Sequence, residues 1–202
     1  MRTKSEERRC CMVATAAEVF LERGYEATSM AEICARVGGS KATLYNYFKS
    51  KEELFLMVMK MLAEEKLMQA FGRLVPGGDI AAALRAFGEH YLSVILGPEM
   101  LAMRSIIAGE LVRAGIAQQF YDNGPRQGWG KVAAFLETEM EAGRLRQADP
   151  WQAAMHYLAL IQAEYQAAFI IGVISPEDMA LLPRRVGDGV EVFMASYAPR
   201  PD

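Results

Sequence analysis

Two glycines flanked by capping serines constrain this chain more than anything else in it. Ser29 and Glu32 have the spacing of a capping box. Met30, Ile33, Cys34 and Val37 then fall at i, i+3, i+4 and i+7, the apolar face of one helix. Gly38 and Gly39 end that helix, and Ser40 caps a second, short one, with Leu44 and Phe48 predicted to face inward. Helix, tight glycine turn and a helix of about two turns make the helix-turn-helix pattern. A chain that folds this way must be helical here and must pack further helices beneath the pair.

The rest of the 202 residues meets that demand. No stretch alternates as a strand would, and helical periodicity runs almost throughout. A first helix is predicted from Ser5 to Arg23, with Val13, Ala16, Ala17 and Phe20 on its apolar face and Gly24 as its stop. Ser50 and Glu53 open a long helix over Lys51–Phe71. Pro76-Gly77-Gly78-Asp79 is the first clear break. Helices are predicted over Asp79–Leu96, Pro98–Arg113, Ile116–Asp122, Arg126–Ala142 and from Asp149-Pro150 to Gly172. Ser175-Pro176-Glu177-Asp178 starts the last helix, which Pro183 is expected to interrupt. The expected fold class is all-α: a helix-turn-helix domain at 1–55, then a helical-bundle domain at 56–202.

Composition excludes several classes of function. The start, Met1–Cys10, is polar and charged and reads as no secretory signal. The most apolar stretch, Trp151–Ile174, contains Gln152, His156, Gln162, Glu164 and Gln166, so it reads as a buried helix rather than a membrane span. Cys10, Cys11 and Cys34 form no metal-ligand spacing, and a cytoplasmic, reducing compartment suits them. No cofactor or metal signature is present. Two distant histidines, no HExxH, no phosphate loop and no ExxH pair argue against an enzyme. Net charge is −3, but residues 1–60 hold 10 Lys+Arg against 8 Asp+Glu, and Arg36–Lys51 carries Arg36, Lys41, Lys49 and Lys51 with no acid. Such a patch fits a phosphate footprint or a solvated surface.

Arg9 to Phe55 closely resembles the DNA-binding domain of the TetR/AcrR family. The resemblance rests on Ala16-Ala17, Phe20, Gly24-Tyr25, Thr28-Ser29-Met30, Ile33, Ser40-Lys41, Thr43-Leu44-Tyr45, Tyr47-Phe48 and Ser50-Lys51-Glu52-Glu53-Leu54-Phe55. Cys34 stands where that family usually has alanine, and Gly39 where it usually has valine; the latter removes a packing side chain from the turn. Arg104 to Pro125 resembles AefR-type members.

The resemblance implies a one-component regulator docking on double-stranded operator DNA as a homodimer. With the local charge, it puts Tyr45, Tyr47 and Lys51 on phosphates, and lets Thr28 or Ser29 offer a hydroxyl and helix amides. Ser40 is expected to cap the reading helix. Lys41, Ala42, Thr43 and Asn46 are its base-reading face: lysine suits guanine, threonine a thymine methyl and asparagine adenine.

A sensor would lie in the bundle. Bulky and mixed candidates for a small, mostly apolar effector are Met61, Met68, Phe87, His90, Tyr91, Met103, Phe120, Tyr121, Trp129, Phe135, Tyr157, Gln162 and Glu164. Thirteen methionines supply surfaces that adapt to varied apolar shapes. Each of these side chains can equally be ordinary core. Ala159, Ala163, Ala167, Ala168, Ile170, Val190 and Phe193 make the last two helices apolar on more than one side, as an internal face plus a dimer face requires. The alternatives are a regulator without an effector, or a helical small-molecule carrier with no DNA role.

Overall fold

The structure, a computed structural model, describes residues 4–98, 100–101 and 117–199. Among them all regular structure is helical: α1 Lys4–Arg23, α2 Met30–Val37, α3 Lys41–Tyr47, α4 Lys51–Phe71, α5 Ile80–Ile95, α6 Ala117–Asn123, α7 Pro125–Glu141, α8 Pro150–Gln162, α9 Gln166–Ile171 and α10 Pro176–Tyr197. The helix predicted over 98–113 lies largely outside the described residues, as do Met103 and Arg104. The chain divides after Glu64 into two compact units. The first contains α1, α2, α3 and the start of α4, and takes α6 up to Phe120; the second contains the end of α4 with α5 and α7 to α10.

In the first unit the predicted apolar faces close on one another. Val13, Ala16, Ala17, Phe20, Ile33, Leu44, Phe48, Leu54 and Phe55 are all buried. The Phe55 ring meets Phe20 and Tyr25 edge-on, at 5.3 and 5.0 Å between centroids. Burying each of the larger side chains (Val, Ile, Leu and Phe) contributes about 1.5–3 kcal/mol, which offsets the weak intrinsic stability of helices as short as α2 and α3. Gly38 has φ +76°, a left-handed conformation that lets its N–H reach back to the Cys34 carbonyl and end α2.

The second unit packs α5, α8 and α10 together, with α7 against α8. Its core includes Leu84, Phe87, Val132, Phe135, Leu136, Tyr157, Leu158, Ile161, Val186, Val190 and Phe193. Helices approach closely at Gly88, where an added Cβ would stand 2.7 Å from the Tyr157 hydroxyl and 2.8 Å from Val186 Cγ1. Tyr157 donates from that position to the Leu84 carbonyl at 2.7 Å. Burial pushes its phenol pKa well up, so it stays a donor at any ordinary pH.

Two expectations need correction. The helix expected from Pro150 to Gly172 stops at Gln162 and resumes at Gln166. The Tyr165 N–H bonds to the carbonyl three residues back, Gln162, at 2.9 Å, tightening the turn. That places the Tyr165 ring in the core with its hydroxyl on the Asp178 carbonyl. Pro183, expected to interrupt α10, sits inside an unbroken helix. Its missing N–H costs one helix bond, but the helix is fixed on both sides of it. Ser175 and Asp178 form a reciprocal capping box at the start, and Leu182, Val186, Val190 and Phe193 are buried beyond.

Candidate functional site

α3 is held at both ends and leaves one face free. Ser40 caps it, its hydroxyl accepting from Thr43 N at 3.1 Å, while Leu44 and Phe48 anchor it from below. Lys41, Ala42, Tyr45 and Asn46 are exposed, a spacing that puts them on one face. The Lys41 ammonium lies 5.9 Å from the Tyr45 ring centroid. Thr43 is half-buried, with its hydroxyl 2.8 Å from the Ser40 hydroxyl. The surface therefore carries a cation, an amide and a phenol on one exposed helix face.

The turn before α3 is closed although Gly39 brings no side chain to it. The Cys34 thiol donates to the Gly39 carbonyl at 3.0 Å, and the Gly39 N–H points back to the Cys34 carbonyl. The two departures from the family pattern thus meet in space.

Several of the expected phosphate contacts have other partners. Thr28 is 1 % exposed and its hydroxyl donates to the Gly24 carbonyl at 2.7 Å. It locks the loop before α2 and cannot offer that hydroxyl outward, which corrects the expectation for it. Ser29 is exposed and caps α2 by accepting from Glu32 N. Lys51 donates to the Tyr25 and Thr28 carbonyls, at 2.9 and 3.1 Å, and sits 4.1 Å over the Tyr25 ring. One of its three N–H donors is left for a phosphate. The Tyr47 hydroxyl is 3.3 Å from that of Ser5.

That last contact marks what the sequence reading missed. The first turns of α1 lie against α3 and its turn: Arg9 stands over the Phe48 ring at 5.5 Å, and Arg8 approaches Gly39. The signal was present in the helical spacing of Ser5, Arg8, Arg9 and buried Met12.

In the second unit most of the aromatic candidates form one connected cluster. Phe87 lies 5.4 Å from Phe71 and 5.4 Å from Tyr91, and 6.1 Å from Tyr157. Trp129 donates its indole N–H to the Tyr91 hydroxyl at 3.2 Å, and Tyr121 meets Trp129 edge-on. Tyr91 is 6 % exposed, and burial raises its phenol pKa. Its own O–H has no acceptor among the described residues. Phe135 is buried in the same core. Met68 is exposed, its sulfur 3.5 Å from the Lys131 ammonium. His90 bonds to the Lys66 carbonyl.

The remaining candidates engage elsewhere. Gln162 turns back on its own helix, to the Leu158 carbonyl. Glu164 pairs with Arg185 at 2.8 Å and lines a shallow depression of about 170 Å³ with Asp188, Gly189 and Val192. That is below the roughly 300 Å³ of a small-molecule site. Met61 and Phe120 belong to the first unit, where Met61 is exposed and Phe120 half-buried. The described residues contain no cluster suited to a metal ion and no helix long and apolar enough to cross a membrane.

Comparison with known proteins matches both parts of the chain. Residues 12–58 match the tetR family of bacterial regulatory proteins, and residues 82–199 match the C-terminal domain of AefR-like transcriptional repressors. The HTH-type transcriptional activator FasR of Mycolicibacterium smegmatis is 37 % identical over 94 residues, covering 46 % of this chain and 43 % of FasR. The regulator QacR of Staphylococcus aureus is 40 % identical over 50 residues, 25 % of this chain and 27 % of QacR. Matches to these curated relatives thus span less than half of their length. Among solved structures, a TetR-family regulator from Mesorhizobium loti superposes with a TM-score of 0.87 at 23 % identity, over 98 % of this chain and all of that one. The flavonoid-responsive regulator FrrA superposes with a TM-score of 0.75 at 32 % identity, over 97 % of this chain and all of FrrA.

Proposed function

This chain belongs to the TetR family of transcriptional regulators, and from that premise we propose that it is a ligand-responsive repressor binding a palindromic operator as a homodimer. It is a DNA-binding regulator and not an enzyme. The observation that carries the reading is the free face of α3, with Lys41, Ala42, Tyr45 and Asn46 presented on a packed, capped helix. Thr43 joins Lys41, Ala42 and Asn46 as a base reader once its hydroxyl leaves the cap, and Tyr45 is the phosphate contact beside them. Residues 1–55 are the DNA head, and 56–202 the sensor and dimer domain.

The effector we propose is a mostly apolar, planar aromatic molecule. The cluster of Phe71, Phe87, Tyr91 and Trp129 supports it by concentrating aromatic side chains in one part of the second unit. The buried Tyr91 O–H, which accepts from Trp129 and has no acceptor of its own among the described residues, supports it by calling for an acceptor atom, since a buried donor without a partner costs about 1–3 kcal/mol. The name of FrrA points to the same chemical class. Two copies would pair through 150–172 and 176–197, where Ala159, Ala163, Ala167 and Ile170 face outward, while Val190 and Phe193 belong to the monomer core.

The test begins with selection of duplexes from a random library by the purified protein. The selected site should be palindromic, and a panel of flavonoids and simpler planar phenols should release it while raising the melting temperature of the protein. Selection of no site would refute the DNA role. Release by none of the panel, with no thermal shift, would leave a regulator that works without such an effector.

A further inference from the structure

We propose that Arg8 is a phosphate anchor of the DNA interface, brought there by the first turns of α1 and admitted by the bare Gly39. The inference rests on α3 being the reading helix.

Position comes first. Ser5 touches Tyr47 through its hydroxyl, Arg9 covers the Phe48 ring, and Arg8 Nη2 lies 3.9 Å from where a Cβ on Gly39 would stand. These contacts run from the end of α3 to the residue just before its cap, so α1 borders the reading helix along its side. A helix lying in the major groove has a phosphate backbone on each flank, and side chains bordering it are the ones that reach phosphate.

Charge comes second. In the first unit Arg23 is paired with Glu32 and Arg36 with Glu22, each at 2.7 Å. Lys51 spends two donors on carbonyls. Arg8 is exposed and has no acidic partner among the described residues. Its planar guanidinium suits bidentate contact with phosphate oxygens.

Gly39 supplies the third element. Its φ is not left-handed, so the backbone there does not demand glycine. Nothing but the Arg8 guanidinium lies within 4 Å of its missing Cβ. The absent side chain is therefore room, and Arg8 uses its edge. A valine at 39 would put γ-methyls into that room and push the guanidinium away from α3.

The experiment measures binding of a duplex selected from a random library by the wild-type protein, and of an unselected duplex, by fluorescence anisotropy between 50 and 200 mM salt. Each lost phosphate contact flattens the slope of log K against log salt by about 0.9, so Arg8→Ala should flatten a dimer's slope by about 1.8. Both duplexes should be affected alike, with base preference unchanged. Arg8→Lys should keep most of the slope. Gly39→Val should reproduce the Arg8→Ala loss and add little to it in the double variant. Circular dichroism confirms folding, which an exposed arginine should not disturb. A wild-type slope for folded Arg8→Ala overturns the proposal, and so does a change of base preference without a change of slope. Losses that simply add in the double variant overturn the role of Gly39. Asn46→Ala, run in parallel, should shift base preference; if it does not, the reading helix itself is misassigned, a failure separate from that of Arg8.

Discussion

Removing the Glu139 carboxylate should destabilise the second unit by about 2 kcal/mol, and the loss should depend on pH. Glu139 is fully buried near the end of α7. It accepts from Gly77 N at 2.9 Å in the loop before α5, and from Arg144 Nε beyond α7. One carboxylate thus ties three segments. Breaking a buried pair costs about 3–5 kcal/mol when the surviving charge is trapped inside. Here the survivor is Arg144, whose side chain is 40 % exposed and can rehydrate, so that part of the cost falls away. What remains is chiefly the charge-assisted bond to Gly77, at about 1.5–3 kcal/mol. At roughly 2–4 °C per kcal/mol for a chain of this size, Glu139→Ala should lower the melting temperature by about 4–8 °C at pH 7. The Arg144 bond, and to a lesser degree the Gly77 N–H, hold the Glu139 pKa below the usual carboxylate value. A carboxylate whose folded pKa is depressed adds its full stability above the unfolded value of about 4.3 and loses it as pH falls through the folded one. Thermal melts from pH 7 downward should therefore show the gap between wild type and Glu139→Gln narrowing only below that value. A gap under 1 °C at pH 7 for the alanine variant, or one that widens in acid, would refute the clamp.

Three other outcomes follow from packing and polarity. Gly88→Ala forces a methyl against the Tyr157 hydroxyl and Val186, and should cost about 1–3 kcal/mol in urea unfolding; an unchanged midpoint would mean that α5 and α8 can separate freely. Ala167→Glu combined with Ala168→Glu should give monomers by light scattering and abolish binding to the selected duplex, and a variant that stays dimeric would put the interface elsewhere. Tyr91→Phe removes the hydroxyl, and with it the acceptor of the Trp129 indole N–H, and leaves the ring against Phe87. It should weaken effector binding by about tenfold, equivalent to roughly 1.4 kcal/mol, with little change in DNA affinity; equal effector affinity in the two proteins would take Tyr91 out of the site.

What the sequence made legible follows from how local each signal is. α2, its glycine turn and α3 were readable because the caps, the apolar spacing and the stop residue all lie within twenty positions and agree. The break after Gln162 was not, because the Tyr165 ring and the Asp178 carbonyl that favour it come together from separate segments, the turn before α9 and the first turn of α10. Pro183 misled for the same reason: its local cost is visible in the sequence, while the packing that overrides it is not. The site divides along the same line. Exposure of Lys41, Ala42, Tyr45 and Asn46 follows from periodicity within α3. The duties of the cations do not, because a cation's partner is chosen in space. Lys51 carries the expected charge at the expected place, yet α4 delivers it to carbonyls in the loop before α2. Arg8 shows in the sequence only its helical spacing from Ser5 and Met12, and α1 delivers it to the edge of α3. A basic residue near a helix-turn-helix is therefore a candidate until its ion pairs and carbonyl contacts have been counted, and a cation with neither, as Arg8 is among the described residues, is one with energy to give to DNA.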